Sequence, residues 1–358
     1  MNAQNDRPAV VPVDLIRVIA IVGVVLLHAA NDLTSQSMGL PILRWWMVDI
    51  YQSFGRMGVP LFLMLSGVLL LAPSKRDESL NSFFKKRFSR IGLPFLFWSI
   101  IYFLWVLYVE KQPFTQDFII NGILGGPHLI LWYLYMLIGL YLITPILRVL
   151  VAHFTDALYK YFICIWSIGV MLTPLIDLAS IGRYQISENL FVIPLFVGYF
   201  IIGTYLVNVK VRRRILAVLT LLGITLTAIG TCILAICVGG GGTYFFQQYF
   251  SPTLILASLP FFMLLISYAK PKDAPQMEKP SWKQRLIRTI SENTLPIYLL
   301  HMIIIYLLQN GFFFGFTLTG NTVNSIIGVP LMTVLTIAIC LIIIVPLKKM
   351  PGIRKLVG

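Results

Sequence analysis

Residues 12–32 read PVDLIRVIAIVGVVLLHAAND. Between Val18 and Leu27 no polar side chain occurs, while Asp14, Arg17, His28 and Asp32 mark the two ends. An apolar run of about 20 residues is long enough to cross a bilayer as a helix. In lipid every backbone polar group needs a partner within the chain, which a continuously apolar run meets as helix. The alternation of a lipid-facing barrel strand is absent. Arg7 followed by a run ending at Ala29-Ala30 resembles a signal peptide, but Asp14 and Arg17 interrupt it, so it reads as a retained first helix.

The same pattern recurs along the chain. Counting residues 10–30 as the first, apolar runs fall at 45–72, 90–109, 129–150, 158–177, 190–208, 213–237, 252–269, 292–310 and 325–346. The expected fold is an all-α integral membrane bundle of about ten transmembrane helices, in one domain over residues 1–358. Composition agrees. Of 358 residues, 58% are hydrophobic and only 12% charged, against roughly 25% in soluble domains. That excludes an ordinary soluble enzyme and a disordered chain. Cys164, Cys232, Cys237 and Cys340 lie in or beside apolar runs without metal-ligand spacing, so they read as small buried hydrophobes and no metal is expected.

The net charge of +14 would suggest nucleic acid in a soluble protein. Here it sorts by loop. Twenty-three of the 28 lysines and arginines fall in the termini and in the connections on the termini's side of the bundle. By the positive-inside rule both termini are cytoplasmic. The basic excess is thus a topology signal, and no nucleic-acid partner is expected. Trp282, Leu286 and Ile290 share a helical face beside Lys283, Arg285 and Arg288, which predicts a short interfacial helix.

Ionisable residues at membrane depth are expensive and usually functional. Arg17 and His28 are 11 residues apart, three turns plus about 20°, so they share a face roughly 16 Å apart along the axis. Asp14 sits one turn from Arg17, and Asp32 one turn beyond His28, where it can orient the imidazole. Snorkelling of Arg17 to the headgroups is the plainer alternative. Arg56 lies within the second span, where Pro60 and Gly67 are expected to loosen the helix. Arg87 and Arg90 are one turn apart at the inner mouth, where two guanidinium forks suit a phosphate-bearing ligand; by itself the spacing favours an ordinary positive-inside cluster. Tyr298 and His301 are one turn apart in the ninth span, and His28 and His301 can converge on one cavity.

These residues, in this order, resemble the membrane-bound acyltransferase 3 family. Asp14-x-x-Arg17 with His28 is similar to its first-helix motif. The segment Arg56 to Gly67, ending Ser66-Gly67, is similar to its second helix, and Arg87-x-x-Arg90 to its Arg-x-x-Arg motif. Leu131-Trp132-Tyr133 with Tyr141 and Pro145 resembles its fourth helix. Ser291 to His301, with Tyr298, resembles a late segment. His128 stands four residues before Trp132, where members often place a His two before it.

The resemblance implies O-acyl transfer, usually of acetyl, from cytoplasmic acyl-CoA to a hydroxyl of an extracytoplasmic polysaccharide or glycolipid, in the bacterial cytoplasmic membrane. The expected catalytic set is His28, Arg56, Tyr298 and His301, with Asp32 added from its place one turn beyond His28 and not from the resemblance. Asp14, Arg17, Ser66, Arg87, Arg90 and Trp132 would bind acetyl-CoA. His28 acts as general base or as a covalent acyl carrier, and Arg56 or Tyr298 stabilises the oxyanion. Membrane lipids and a second copy of the chain are the further expected partners. A secondary transporter of a small anionic solute is the alternative from another class, although no repeat relates the two halves.

Overall fold

The computed structural model describes residues 12–34, 42–75, 77–179, 195–237, 245–268, 281–313, 315–320, 322 and 324–358. For residues 32–34, 42–44 and 173–179 the description is of the backbone alone. The side chains of Asp32 and Arg44, together with Arg7, Arg76, Arg183, Lys270, Lys272, Lys279 and the glycine run 239–242, lie outside the described residues.

Among the described residues the regular structure is entirely helical. In chain order the helices are α1 (Val13–Thr34), α2 (Ile42–Gly55), α3 (Gly58–Leu70), α4 (Leu80–Arg87), α5 (Leu93–Tyr108) and α6 (Gln116–Leu124). There follow α7 (Trp132–Ala152), α8 (Asp156–Ala179), α9 (Leu195–Leu206), α10 (Arg213–Cys237) and α11 (Pro252–Ile266). The last four are α12 (Trp282–Glu292), α13 (Thr294–Gln309), α14 (Ser325–Leu347) and α15 (Ile353–Val357).

Within the described residues each of the ten apolar runs falls largely on helix, but the helices are not equally long. Six segments among the described residues are long and apolar enough to cross a membrane: Val13–Asn31, Trp45–Leu70, Leu80–Tyr108, Gln116–Ala152, Arg213–Cys237 and Ser325–Leu347. A seventh results if α12 and α13, bent by 79°, count as one span. The apolar helices α9 and α11 have 12 and 15 residues. At 1.5 Å per residue these reach about 18 and 23 Å, short of a hydrocarbon core of about 30 Å.

Outward-facing side chains show what the helices are built to meet. On α5, Leu96, Ile100 and Leu104 are exposed at four-residue spacing, while Trp98, Tyr102 and Val106 are buried on the other face. On α7, Leu142, Ile146 and Val149 are exposed likewise. Apolar stripes of this size face lipid. The protein is a multi-pass membrane protein. Cys164 and Cys237 are exposed, not buried as the sequence suggested, while Cys340 is buried. In an apolar solvent a small thiol on a helix surface carries no exposure penalty, so burial ceases to be the default.

The chain divides into two compact units, each assembled from separated segments. The first comprises residues 1–69, 154–292 and 318–333. Here α1 packs on α2, and α10 on α11. The α1–α2 approach is backbone on backbone: a Cβ on Gly55 would lie 2.7 Å from the Gly23 carbonyl oxygen. Gly67 on α3 meets α9 still more closely, since a Cβ there would collide with the Phe200 carbonyl oxygen. Gly67 is therefore a contact residue inside a continuous helix, and it does not loosen the span. Small residues at helix crossings allow such approach in membranes. The break in the second span lies earlier, at Arg56-Met57. Pro60 then sits in the first turn of α3, where its missing N–H removes no helical bond.

The second unit comprises residues 70–153, 293–317 and 334–358. A five-residue π-helical turn, Phe88–Gly92, joins α4 to α5, with Leu93 N–H bonding back to the Phe88 carbonyl. Tyr102 of α5 donates its hydroxyl to the Leu299 carbonyl of α13 at 2.7 Å, and Trp105 stands edge-on to Tyr306. The short helix α15 packs on α5.

Candidate functional site

In the first unit, α1 holds Arg17 and His28 at half-buried positions of a span with mean hydropathy 2.2. Asp14, on the exposed first turn, accepts a hydrogen bond from Ser291 Oγ at 2.6 Å, which fastens α1 to α12. The predicted interfacial helix is present as α12, with Trp282, Leu286, Lys283, Arg285 and Arg288 exposed and Ile290 half-buried.

Arg56 occupies the turn between α2 and α3. Its guanidinium lies over the Tyr249 ring at 5.7 Å, and its Nε is buried without a hydrogen-bond acceptor. One helical face of α2 below it is polar, with Asp49, Gln52 and Ser53 all buried. Gln247 Nε2 donates to Asp49 Oδ1 at 2.6 Å. Asp49, Gln247 and Tyr249 escaped the sequence reading; a lone carboxylate within the apolar run 45–72 was the available signal. Ser66 is half-buried on α3, beside the Gly67 contact.

In the second unit the basic end of α4 is built around a buried arginine that sequence reasoning counted only as loop charge. Arg148 of α7 is 6% exposed. It donates from Nε to the Leu70 carbonyl at 2.8 Å and from Nη2 to Glu78 Oε2 at 3.0 Å, and its guanidinium covers the Phe83 ring at 4.7 Å. Lys86 pairs with the other Glu78 oxygen at 2.8 Å. The hydrogen bond from Lys86, with that from Arg148, holds the Glu78 carboxyl below the usual carboxylate range against the opposing effect of its burial.

Arg87 and Arg90 do not form a matched pair on one α-helical face, because the π-helical turn begins between them. Arg87 is half-buried between the Phe83 and Tyr141 rings, at 5.4 and 5.7 Å, with its Nε buried and without an acceptor. Arg90 is exposed within the π-turn. π-turns occur often at functional positions.

Deeper in this unit, Tyr298 donates its hydroxyl to the Ile130 carbonyl and lies 5.3 Å from the Tyr133 ring. His301 is fully buried, with Nδ1 2.6 Å from the Tyr298 carbonyl oxygen. A carbonyl only accepts, so Nδ1 carries the proton and Nε2 is the lone-pair nitrogen. Trp132, half-buried at the start of α7, stands edge-on to Tyr133. His128 caps the short turn before α7: its Nδ1 accepts from Ile130 N–H at 3.2 Å, and its ring stacks on Tyr102 at 4.8 Å. Of the expected site residues, the first unit thus holds Asp14, Arg17, His28, Arg56 and Ser66. The second holds Arg87, Arg90, Trp132, Tyr298 and His301.

A family model described as an acyltransferase domain matches residues 11–345. The chain is 27% identical over 159 residues to the succinoglycan biosynthesis protein ExoH of Rhizobium meliloti (strain 1021), covering 40% of this chain and 43% of that one. It is 29% identical over 166 residues to nodulation protein 10 of Rhizobium leguminosarum bv. viciae, covering 37% and 43%. The chain thus spans less than half the length of the curated relatives it matches. No solved structure matches it. With a model that runs through every motif residue described above, the chain belongs to the acyltransferase 3 family.

Proposed function

We propose that the protein is an O-acyltransferase of the bacterial cytoplasmic membrane, with both termini cytoplasmic. It moves an acyl group, in the simplest case acetyl, from cytoplasmic acyl-CoA to a hydroxyl of an extracytoplasmic polysaccharide or glycolipid. The observation that carries the reading is the family match over residues 11–345. The name of the succinoglycan biosynthesis relative supports a polysaccharide acceptor.

In this reading His28 removes the proton from the acceptor hydroxyl as the oxygen attacks the thioester carbonyl. The tetrahedral intermediate collapses, the carbon–sulfur bond breaks, and the departing CoA thiolate takes the proton back from His28. Arg56 stabilises the oxyanion, a role suited to a guanidinium held in a buried turn. Tyr298 is less suited, because its hydroxyl already donates to Ile130. The donor's phosphates need fixed cationic groups. Exposed Arg90 and the half-buried, stacked Arg87 fit that need.

The test is transfer of labelled acetyl from acetyl-CoA in proteoliposomes, beside mass spectrometry of surface glycans with and without the protein. The expected results are a transfer activity that disappears in His28→Ala and the loss of an acyl mass from one glycan. Solute uptake without CoA release would refute the reading.

A further inference from the structure

After α5 the chain turns through residues 109–115 and forms α6, which leaves an open groove of about 440 Å³. Glu110, Gln112, Thr115, Phe118 and Asn121 are among its lining residues. That volume lies within the range of small-molecule sites, about 300–1,000 Å³. The groove offers amide N–H donors, amide and hydroxyl oxygens, one carboxylate and an aromatic ring. Neutral hydroxyls, which both donate and accept, match this mixture, whereas the carboxylate disfavours an anion.

A histidine stands beside the carboxylate. His128 Nδ1 accepts from Ile130 N–H, so the ring proton sits on Nε2, and Nε2 faces Glu110 Oε1 at 3.7 Å. Stacking on Tyr102 fixes the ring plane. His128 thus turns its N–H side toward Glu110, beyond hydrogen-bond length. Its one lone pair is already engaged, so it is not the base.

The lip of the groove has the opposite character. Ile120, Ile123 and Leu124 of α6 are exposed at i, i+3 and i+4, and Leu129 is exposed beyond them. A short helix with one apolar exposed face and one polar lining face suits a membrane interface. A polar floor beside an apolar lip fits a ligand with a hydroxyl-rich head and a hydrocarbon anchor.

We propose that this groove binds the sugar headgroup of a membrane-anchored glycan, with Glu110, Gln112 and Asn121 reading its hydroxyls and the apolar face of α6 meeting its lipid. Its identity as the acyl acceptor rests on the O-acyltransferase reading; the binding itself does not.

The experiment uses the full chain in lipid nanodiscs with a photoreactive dodecyl glucoside, its methyl glucoside counterpart and dodecylphosphocholine as competitor. Crosslinks are mapped by peptide mass spectrometry. Dodecyl glucoside is expected to label residues 106–127 at least tenfold more than methyl glucoside, with no competition from dodecylphosphocholine. The double variant Gln112→Ala/Asn121→Ala is expected to lose tenfold or more of that labelling. Asp117→Asn, exposed on the same helix outside the groove, keeps it. Ile123→Asn/Leu124→Asn is expected to bring the dodecyl probe down to the methyl probe.

Labelling outside 106–127, equal competition by dodecylphosphocholine, or undiminished labelling of a folded Gln112→Ala/Asn121→Ala variant would each overturn the proposal. Acetyl transfer is measured in the same nanodiscs. Groove labelling without transfer defeats the function reading alone, and transfer to dodecyl glucoside undiminished in the double variant defeats the groove alone.

Discussion

Replacing Arg148 with Met tests the organisation of the second unit most directly. Arg148 and Glu78 have 6% and 10% of their side chains exposed. Removing one partner of such a pair leaves the other charge buried, which costs about 3–5 kcal/mol. The Leu70 carbonyl also loses its bond to Nε, adding about 1 kcal/mol. Lys86 is 59% exposed, so its share of the Glu78 interaction is worth about 0–1 kcal/mol, and Lys86→Ala should be nearly silent. The double variant Arg148→Met/Glu78→Leu replaces the pair with apolar groups of similar length and should recover most of the loss. The assay is reversible unfolding in mixed micelles, with the coupling read from the double-mutant cycle. Because Arg148 and Arg87 both cover Phe83, the single variant should also raise KM for acyl-CoA more than it lowers kcat. A pH series adds a sign. The folded Glu78 pKa is lowered, so its stabilisation is fully present above the unfolded value and fades as pH falls through the lowered one. The deficit of Arg148→Met should therefore shrink below about pH 4. A single variant within 1 kcal/mol of wild type, or a double variant no more stable than the single, would refute the pairing.

Further outcomes follow from the same contacts. His28→Ala should lower acetyl transfer by about 10²–10⁴-fold, measured with labelled acetyl-CoA, while the unfolding midpoint stays near that of wild type. Gly67→Ala places a methyl against the Phe200 carbonyl and should prevent recovery of folded protein on size exclusion. Gly139→Ala, with nothing within 4 Å of the added carbon, should behave as wild type there. Arg87→Lys removes a planar group stacked between Phe83 and Tyr141 and should raise KM for acyl-CoA more than Arg90→Lys, whose site is exposed.

Hydropathy carried the architecture a long way. A helix lies under every apolar run, and α12 was readable from the spacing of Trp282, Leu286 and Ile290, because amphipathic spacing is a local property. What hydropathy does not carry is length and continuity. α11 is short because a helix start signal intrudes at Ser251-Pro252, where Ser251 Oγ caps the Leu254 N–H at 3.2 Å. The break at Arg56-Met57 comes one turn before the proline that seemed to predict it. Candidate site residues were legible where an ionisable side chain stood out in an apolar run, as with Arg17, His28, Arg56 and His301. It was illegible where the partner is remote. Arg148 looked like topology charge because Glu78, seventy positions away, decides its burial. Asp49 was passed over because Gln247, its partner, follows a stretch with no periodic pattern.

The π-turn at Phe88–Gly92 gives one stretch of the gene an unusual mutational grammar. A π-turn accommodates one residue more than the α-helix around it. Losing a single codon within those five would let the α-register close up, and the residues that follow in the sixteen-residue α5 would keep the faces they now present. The same loss a few residues later, inside α5, would turn everything downstream by about 100°. Ile100 and Leu104 would then rotate out of the lipid, and Tyr102 away from the Leu299 carbonyl. A scan of three-base deletions should therefore find a tolerant window at Phe88–Gly92 and an intolerant one immediately beyond it.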